Sequence, residues 1–401
     1  MRTTRVLSLF VLFSTIPFYS SASDLPVQAP SGRSWEMIAS DGGANNSLGY
    51  LVAISGNTVA VGALGANKVY VYEKPAAGWS NMVQIAELTS SKGGPFGPPV
   101  AVSGDTIVVS SGLNTPTGEV YVFVKPSGGW MNMTETAILS DNVSGDYFGV
   151  AVAIDGDTIV VGASGTYDDQ GAAYVFVKPS SGWATTSAFN AMLTASDGGL
   201  LDFLGLSVAI SGNTVVAGQP FHNDQTGPGV VYVFVKPAAG WATMTQTAEL
   251  TQSVRGPYDQ FGFAVAVSGN TVVAGAPQAD SDAGVAYVFV EPPTGWADMT
   301  ETADLTTNPG GRFGWTLGIS GKQIVVGYDG SASTIPVYAE PESGWQSTST
   351  PSLLLRAGQT DGGFGFSTAI SNGVVVAGAP SQTVRGNSDE GTVFGFQLAR
   401  P

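Results

Sequence analysis

Residues 261–277 read FGFAVAVSGNTVVAGAP, and this stretch decides the fold. The segment after Phe261-Gly262 reads as a first strand, and Ser268-Gly269-Asn270 reads as a tight turn. Gly and Asn tolerate the positive φ that a two-residue hairpin requires. Thr271 to Ala274 then reads as a second strand, apolar throughout, as suits a strand covered on both faces.

The same order recurs along the chain. An aromatic residue or Leu followed by Gly stands at Leu48-Gly49, Phe96-Gly97, Phe148-Gly149, Leu204-Gly205, Phe261-Gly262, Phe313-Gly314 and Phe364-Gly365, at spacings of 48 to 57 residues. Turns equivalent to Ser268-Gly269-Asn270 follow at Ser55-Gly56-Asn57, Ser103-Gly104-Asp105, Asp155-Gly156-Asp157, Ser211-Gly212-Asn213 and Ser320-Gly321-Lys322. A variable loop leads to a third strand such as Tyr121 to Val124, where aromatics alternate with Val at the strand period of two. Lys-Pro or Glu-Pro marks its exit, because Pro supplies no ladder donor. Gly-Trp follows at Trp79, Trp130, Trp183, Trp241, Trp296 and Trp345, and then a fourth strand such as Thr247 to Thr251.

Repeats of this length, each unable to bury both faces alone, predict stacked sheets. The fold class is all-β: a seven-bladed β-propeller of four-stranded antiparallel blades, 28 strands in all. Trp35 begins a lone fourth-strand segment, read as a seventh copy of the tryptophan-led piece, and the chain's last strand is a third strand, Thr392 to Leu398. Pairing the first piece with the last closes the ring and removes exposed edges.

The Phe-Gly pairs, with Gly275-Ala276-Pro277 and Gly378-Ala379-Pro380, resemble the FG-GAP repeat of the integrin α propeller and of many secreted microbial proteins. Weaker copies are Gly62-Ala63-Leu64, Gly162-Ala163-Ser164 and Gly218-Gln219-Pro220. The resemblance covers essentially Trp35 to the C-terminus. It implies an extracellular seven-bladed propeller, often adhesive or ligand-binding. Many members also carry an Asp/Asn-rich calcium loop between the first two strands. Here that place holds only a four-residue turn, too short to wrap an ion needing about six to eight oxygens. The chain is read as a short-turn branch, with no metal site and no cofactor.

Composition narrows the classes further. Net charge is −16 with only 11% charged residues, which opposes binding to nucleic acid or to an anionic lipid surface. There is no cysteine, which excludes a thiolate nucleophile or a Cys-ligated zinc. Arg2 and Arg5, the apolar run Val6 to Phe18 and the small residues to Ser23 read as a signal peptide over 1–23. Residues 24–34 form a short lead-in and 35–401 the propeller. The run is too short to span a bilayer, so no stable membrane insertion is expected after cleavage.

Strand order places the loops joining strand four to strand one, and strand two to strand three, on one face of the disc. These loops hold about half of the 31 acidic residues. The candidate ligand-binding residues are Asp168, Asp169, Asp224, Asp280, Asp282, Asp389 and Glu390. The favoured reading is a secreted, non-catalytic binding or adhesion module presenting this acidic face to an extracellular protein or glycan. The alternative is a carboxylate-dependent polysaccharide hydrolase or lyase, although no acid pair stands apart and His222 has no nucleophile beside it. Asp168-Asp169 and Asp280-Ser281-Asp282 offer oxygens of the kind a hard cation takes, but neither supplies a full shell. Pro98-Pro99 marks the second blade as irregular, and Trp315 is expected near the central channel.

Overall fold

The computed structural model describes residues 34–111, 118–222, 227–254, 256–307, 311–329, 333–358 and 362–399. The segment read as a signal peptide, and the lead-in as far as Arg33, lie outside them. The described residues form seven sheets of four or five strands and almost no helix, the seven-bladed β-propeller expected from the repeats. Within blade 1 the order from the axis outward is Leu48–Ser55, Thr58–Ala63, Lys68–Glu73 and Ala86–Thr89. The first strands surround the axis, each packed on its neighbours, including that of blade 1 on that of blade 7.

The strand pattern follows burial. Second strands such as Thr58–Ala63 and Val374–Ala379 are buried along their whole length, because a blade lies on either side. Seven apolar clusters fill the spaces between blades. Each Phe or Leu before the repeat Gly is buried at such a junction; Phe261 and Phe313 are examples. The two motif glycines share one cause: a Cβ at Gly275 or Gly378 would overlap the carbonyl oxygen of Gly314 or Gly49 in the next blade. Blade-to-blade backbone approach therefore demands Gly at both places.

The Ser-Gly-Asn turns carry a further link. Gly104 N–H donates to Ser55 Oγ (3.3 Å), Gly156 to Ser103 (3.0 Å), Gly269 to Ser211 and Gly321 to Ser268 (3.1 Å each). Gly212 donates to Asp155 Oδ2 (2.6 Å), Asn372 to Ser320 (3.1 Å), and Gly56 of blade 1 to Ser371 of blade 7 (3.1 Å). Every turn thus holds the one before it.

Ser34–Ile38 is the outer strand of blade 7, antiparallel to Thr392–Gln397. Its register corrects the reading of Trp35. Trp35 faces Gly395, at the position where blades 1 to 5 place Ala86, Ala137, Ala191, Ala248 and Ala303 opposite a valine. It is a strand residue, not a copy of the Gly-Trp tryptophans, which precede their outer strands. Its indole stacks on Trp79 all the same, 5.3 Å between centroids and 2° from parallel.

The expectation of 28 strands in four-stranded blades is also corrected, since 32 strands are present among the described residues. Four two-residue strands add a fifth, parallel member to the outer edge of the preceding blade. Met82–Val83 pairs with Ser34–Ile38 in this way, and Met133–Thr134 with Ala86–Thr89. Beside them Asn81, Asn132 and Asp298 each accept an outer-strand N–H, of Glu36, Glu87 and Glu249, at 2.9 Å. Open edges are thereby occupied. Blade 2 is irregular as expected, its first strand beginning only at Val100 after Pro98-Pro99.

Candidate functional site

The loops between strands two and three, and those entering strand one, lie at the end of the blades opposite the Ser-Gly-Asn turns. In blades 3 and 5 the two-to-three loop tightens into a left-handed turn. Tyr167, Asp168 and Asp169 have φ of 55°, 58° and 69°, and Asp280, Ser281 and Asp282 have φ of 53°, 60° and 67°. Runs of left-handed L-residues are costly, roughly 1–2 kcal/mol each, so they need compensation. Part of it is visible in the backbone. Asp169 O accepts Phe203 N–H (3.0 Å), and Asp282 O accepts Arg312 N–H (3.0 Å). In blade 7, Asp389 O and Glu390 O accept the N–H groups of Ser47 and Leu48, both at 2.9 Å. Through their main chains, four of the sequence-selected residues staple one blade to the entry of the next.

Their side chains differ. Asp168, Asp280 and Asp282 are exposed, Asp169 and Asp389 are partly buried, and Asp224 lies outside the described residues. Asp282 stands 3.9 Å from Arg312, which is bound more closely to Asp329 at 2.8 Å. The Glu390 side chain is only 1% exposed; it is held by Arg385 and by Asn387 Nδ2 at 2.7 Å. These residues stand on three separate blades. Within blade 3, burial raises the Asp169 carboxyl above the ordinary range, and the charges of Asp168 and Asp146 add to it. Burial likewise raises Asp141, Asp146 and Asp259. No group of three or more potential metal ligands occurs among the described residues.

Charge is not the only feature of this face. Most of the large apolar side chains left in solvent stand on these loops, above all over blades 3 to 5. Tyr167 is 57% exposed, Leu200 55%, Tyr258 56% and Val254 79%, and Val143, Tyr147 and Leu201 join them. Tyr147, Leu201 and Tyr258 also have positive φ (52°, 65° and 69°). Leu201 and Tyr258 occupy the position of Gly145, just before the Asp of Asp146, Asp202 and Asp259. Bulky residues are rare in that region, where Gly has no penalty. Sequence reasoning weighed only the acids here. The available signal was Leu and Tyr standing where the repeat has Gly.

Two further features complete the face. Asp202, buried, accepts Gly199 N–H at 2.8 Å and Gln219 Nε2–H at 2.9 Å, with His222 Nδ1 3.2 Å away. His222 therefore stands beside a loop-anchoring carboxylate rather than beside a nucleophile. Trp315 is partly buried beside the axis, between Phe263 (4.4 Å) and Phe366 (6.4 Å), and Phe366 reaches Tyr50 (5.1 Å). No helix among the described residues is long and apolar enough to cross a membrane.

The FG-GAP repeat family matches the chain four times, over residues 35–75, 133–176, 188–234 and 244–289. No curated protein matches it. Each matched stretch holds the second and third strands of one blade, and the remaining blades repeat the same strand order and the same turn-to-turn hydrogen bonds. The chain carries FG-GAP repeats in four of its blades and folds as a seven-bladed β-propeller.

Proposed function

We propose that this propeller is a secreted, non-catalytic binding module whose loop face over blades 3 to 5 docks an extracellular protein with a basic and apolar contact surface. One observation carries the reading: Tyr147, Tyr167, Leu200, Leu201 and Tyr258 are held in solvent, several on strained backbone, around a cluster of carboxylates. Exposed aromatics on a rigid scaffold are the usual anchors of an interface, and carboxylates at their rim favour a cationic partner. The net charge of −16 supports the same polarity. Aliphatic Leu200, Leu201 and Val254 beside the tyrosines favour protein over glycan as the ligand.

The test is retention of the purified protein on isolated extracellular matrix. The parent is compared with a variant carrying serine at Tyr147, Tyr167, Leu200, Leu201 and Tyr258. Retention should fall at least tenfold in the variant and vanish when the matrix is treated with protease. Retention that survives protease but not periodate makes the ligand a glycan. Retention equal in parent and variant removes this face as the site.

The raised carboxyls of Asp141, Asp146 and Asp169 favour one second reading, a carboxylate-dependent polysaccharide hydrolase or lyase, since a general acid needs such a group. Release of reducing ends from a polysaccharide panel, lost in Asp146→Asn, would establish it.

A further inference from the structure

The opposite face holds a second feature, produced by a break in the repeat. In blades 1 to 6 the third and fourth strands are joined by a hairpin closed from Gly N–H to Pro O, as in Gly78 to Pro75 and Gly129 to Pro126, both at 2.9 Å. Blade 7 has no such hairpin among the described residues, because its third strand ends at Gln397 and its fourth begins at Ser34. A hollow of about 610 Å³ opens at that place, between the turns joining strands one and two of blades 6, 7 and 1 and the end of the third strand of blade 7. A smaller hollow of about 200 Å³ lies beside it, against Trp35 and Trp79.

The lining is cationic and rich in amides. Lys74 and Lys322 supply ammonium groups, and Asn57, Gln323, Asn372 and Gln397 supply donors and acceptors. No carboxylate is among the described lining residues, on a chain of net charge −16. The propeller provides its own control. At the blade 1–2 junction, Lys125 is neutralised by Glu73 at 2.5 Å. Lys74 is the equivalent lysine at the blade 7–1 junction, and the register puts neutral Gln397 where Glu73 stands: Glu73 faces Thr58, and Gln397 faces Val374. Lys74 has no ion pair among the described residues. Lys322 is 70% exposed and reaches Glu340 only at 3.5 Å, a pair that water weakens.

We propose that this hollow binds an acidic sugar unit, a carboxylate or sulfate carried on a polyhydroxylated ring. Two lysines answer the acid group, and amides that both donate and accept answer ring hydroxyls. The volume falls within the usual range for small-ligand sites. The site lies on the face away from the docking loops, so it stands or falls separately from the function proposed above.

The test is titration calorimetry of the secreted protein at low salt with three probes. These are a galacturonic acid tetramer (carboxylate), a heparin-derived tetrasaccharide (sulfate) and cellotetraose (neutral). At least one acidic probe should bind, with the stronger one naming the acid group, and cellotetraose should not. Lys74→Gln and Lys322→Gln should each weaken binding about tenfold, the loss expected for one charge-assisted hydrogen bond. Lys236→Gln, outside the hollow, should leave it unchanged. Acidic probes binding no better than cellotetraose, or binding Lys74→Gln and Lys322→Gln as tightly as the parent, would overturn the proposal.

Discussion

Trp35 lies across Gly395, and the two exchange the sizes that blades 1 to 5 assign to this pair. Where blades 1 to 5 set alanine on the outer strand against valine on the third, blade 7 sets the largest side chain against none. A Cβ at residue 395 would overlap the indole. The swap lets Trp35 reach Trp79 and gives the junction of blades 7 and 1 a stacked indole pair.

Gly395→Val should therefore destabilise the protein by about 2 kcal/mol or more, through overpacking. Trp35→Ala should cost about 3 kcal/mol or more, through the void it leaves. Together the two changes recreate the Ala–Val pair of the other blades. The double variant should be more stable than the summed single effects by at least about 1 kcal/mol. Urea denaturation of the four proteins measures this coupling, and strict additivity would show that the pair is not a unit.

The two kinds of glycine in the repeat should separate in the same way. Gly378→Ala places a Cβ on the carbonyl of Gly49, backbone against backbone, and should cost several kcal/mol or abolish folding. Gly56 has φ of 56°, but a Cβ there meets nothing within 4 Å. Gly56→Ala should cost only the left-handed penalty, about 1 kcal/mol. Equal losses at the two sites would argue against close blade contact as the reason for the motif.

These two glycine roles also explain what the sequence could disclose. A turn glycine recurs in every repeat, and a blade-contact glycine in every repeat but the second, where Ser110 stands, so period and strand order are readable without coordinates. Register is different. Trp35 satisfies the tryptophan count, yet only its pairing with Gly395 reveals that it replaces an alanine. The parallel straps such as Met82–Val83 were missed because two residues carry no periodicity. In the loops, the acids were legible as composition. The division between Asp168, turned to water, and Glu390, buried against Arg385, depends on contacts between distant segments.

Asp141 provides a pH test. Its Oδ1 accepts Val143 N–H at 3.0 Å, while its Oδ2 is buried without a partner among the described residues. Burial raises its folded pKa, and the neighbouring Asp146 charge adds to the rise. The native state then binds more protons than the unfolded chain between the unfolded carboxylate value, about 3.9, and the raised folded value. The stabilising share from this group is full below the unfolded value and is lost as pH rises through the folded one. Asp141→Asn keeps the acceptor and removes the buried charge. It should melt higher than the parent at pH 7, with the gap closing as pH falls toward 4 in calorimetric scans. A gap that widens on acidification would mean the carboxylate is stabilised in its charged form.

Leu201 and Tyr258 allow stability and binding to be pulled apart. Each sits in left-handed backbone at the place where blade 3 has Gly145, with 38% and 56% of its surface exposed. Glycine at either position removes the steric penalty of a Cβ at positive φ, and the exposed side chain gives up little burial. Leu201→Gly and Tyr258→Gly should each hold stability or raise it by up to about 1 kcal/mol in denaturant titrations. If these side chains are held out for a partner, the same substitutions should weaken retention on protease-sensitive matrix several-fold. Stability would then rise or hold as binding falls, a combination that simple loss of packing cannot produce, because lost packing lowers both.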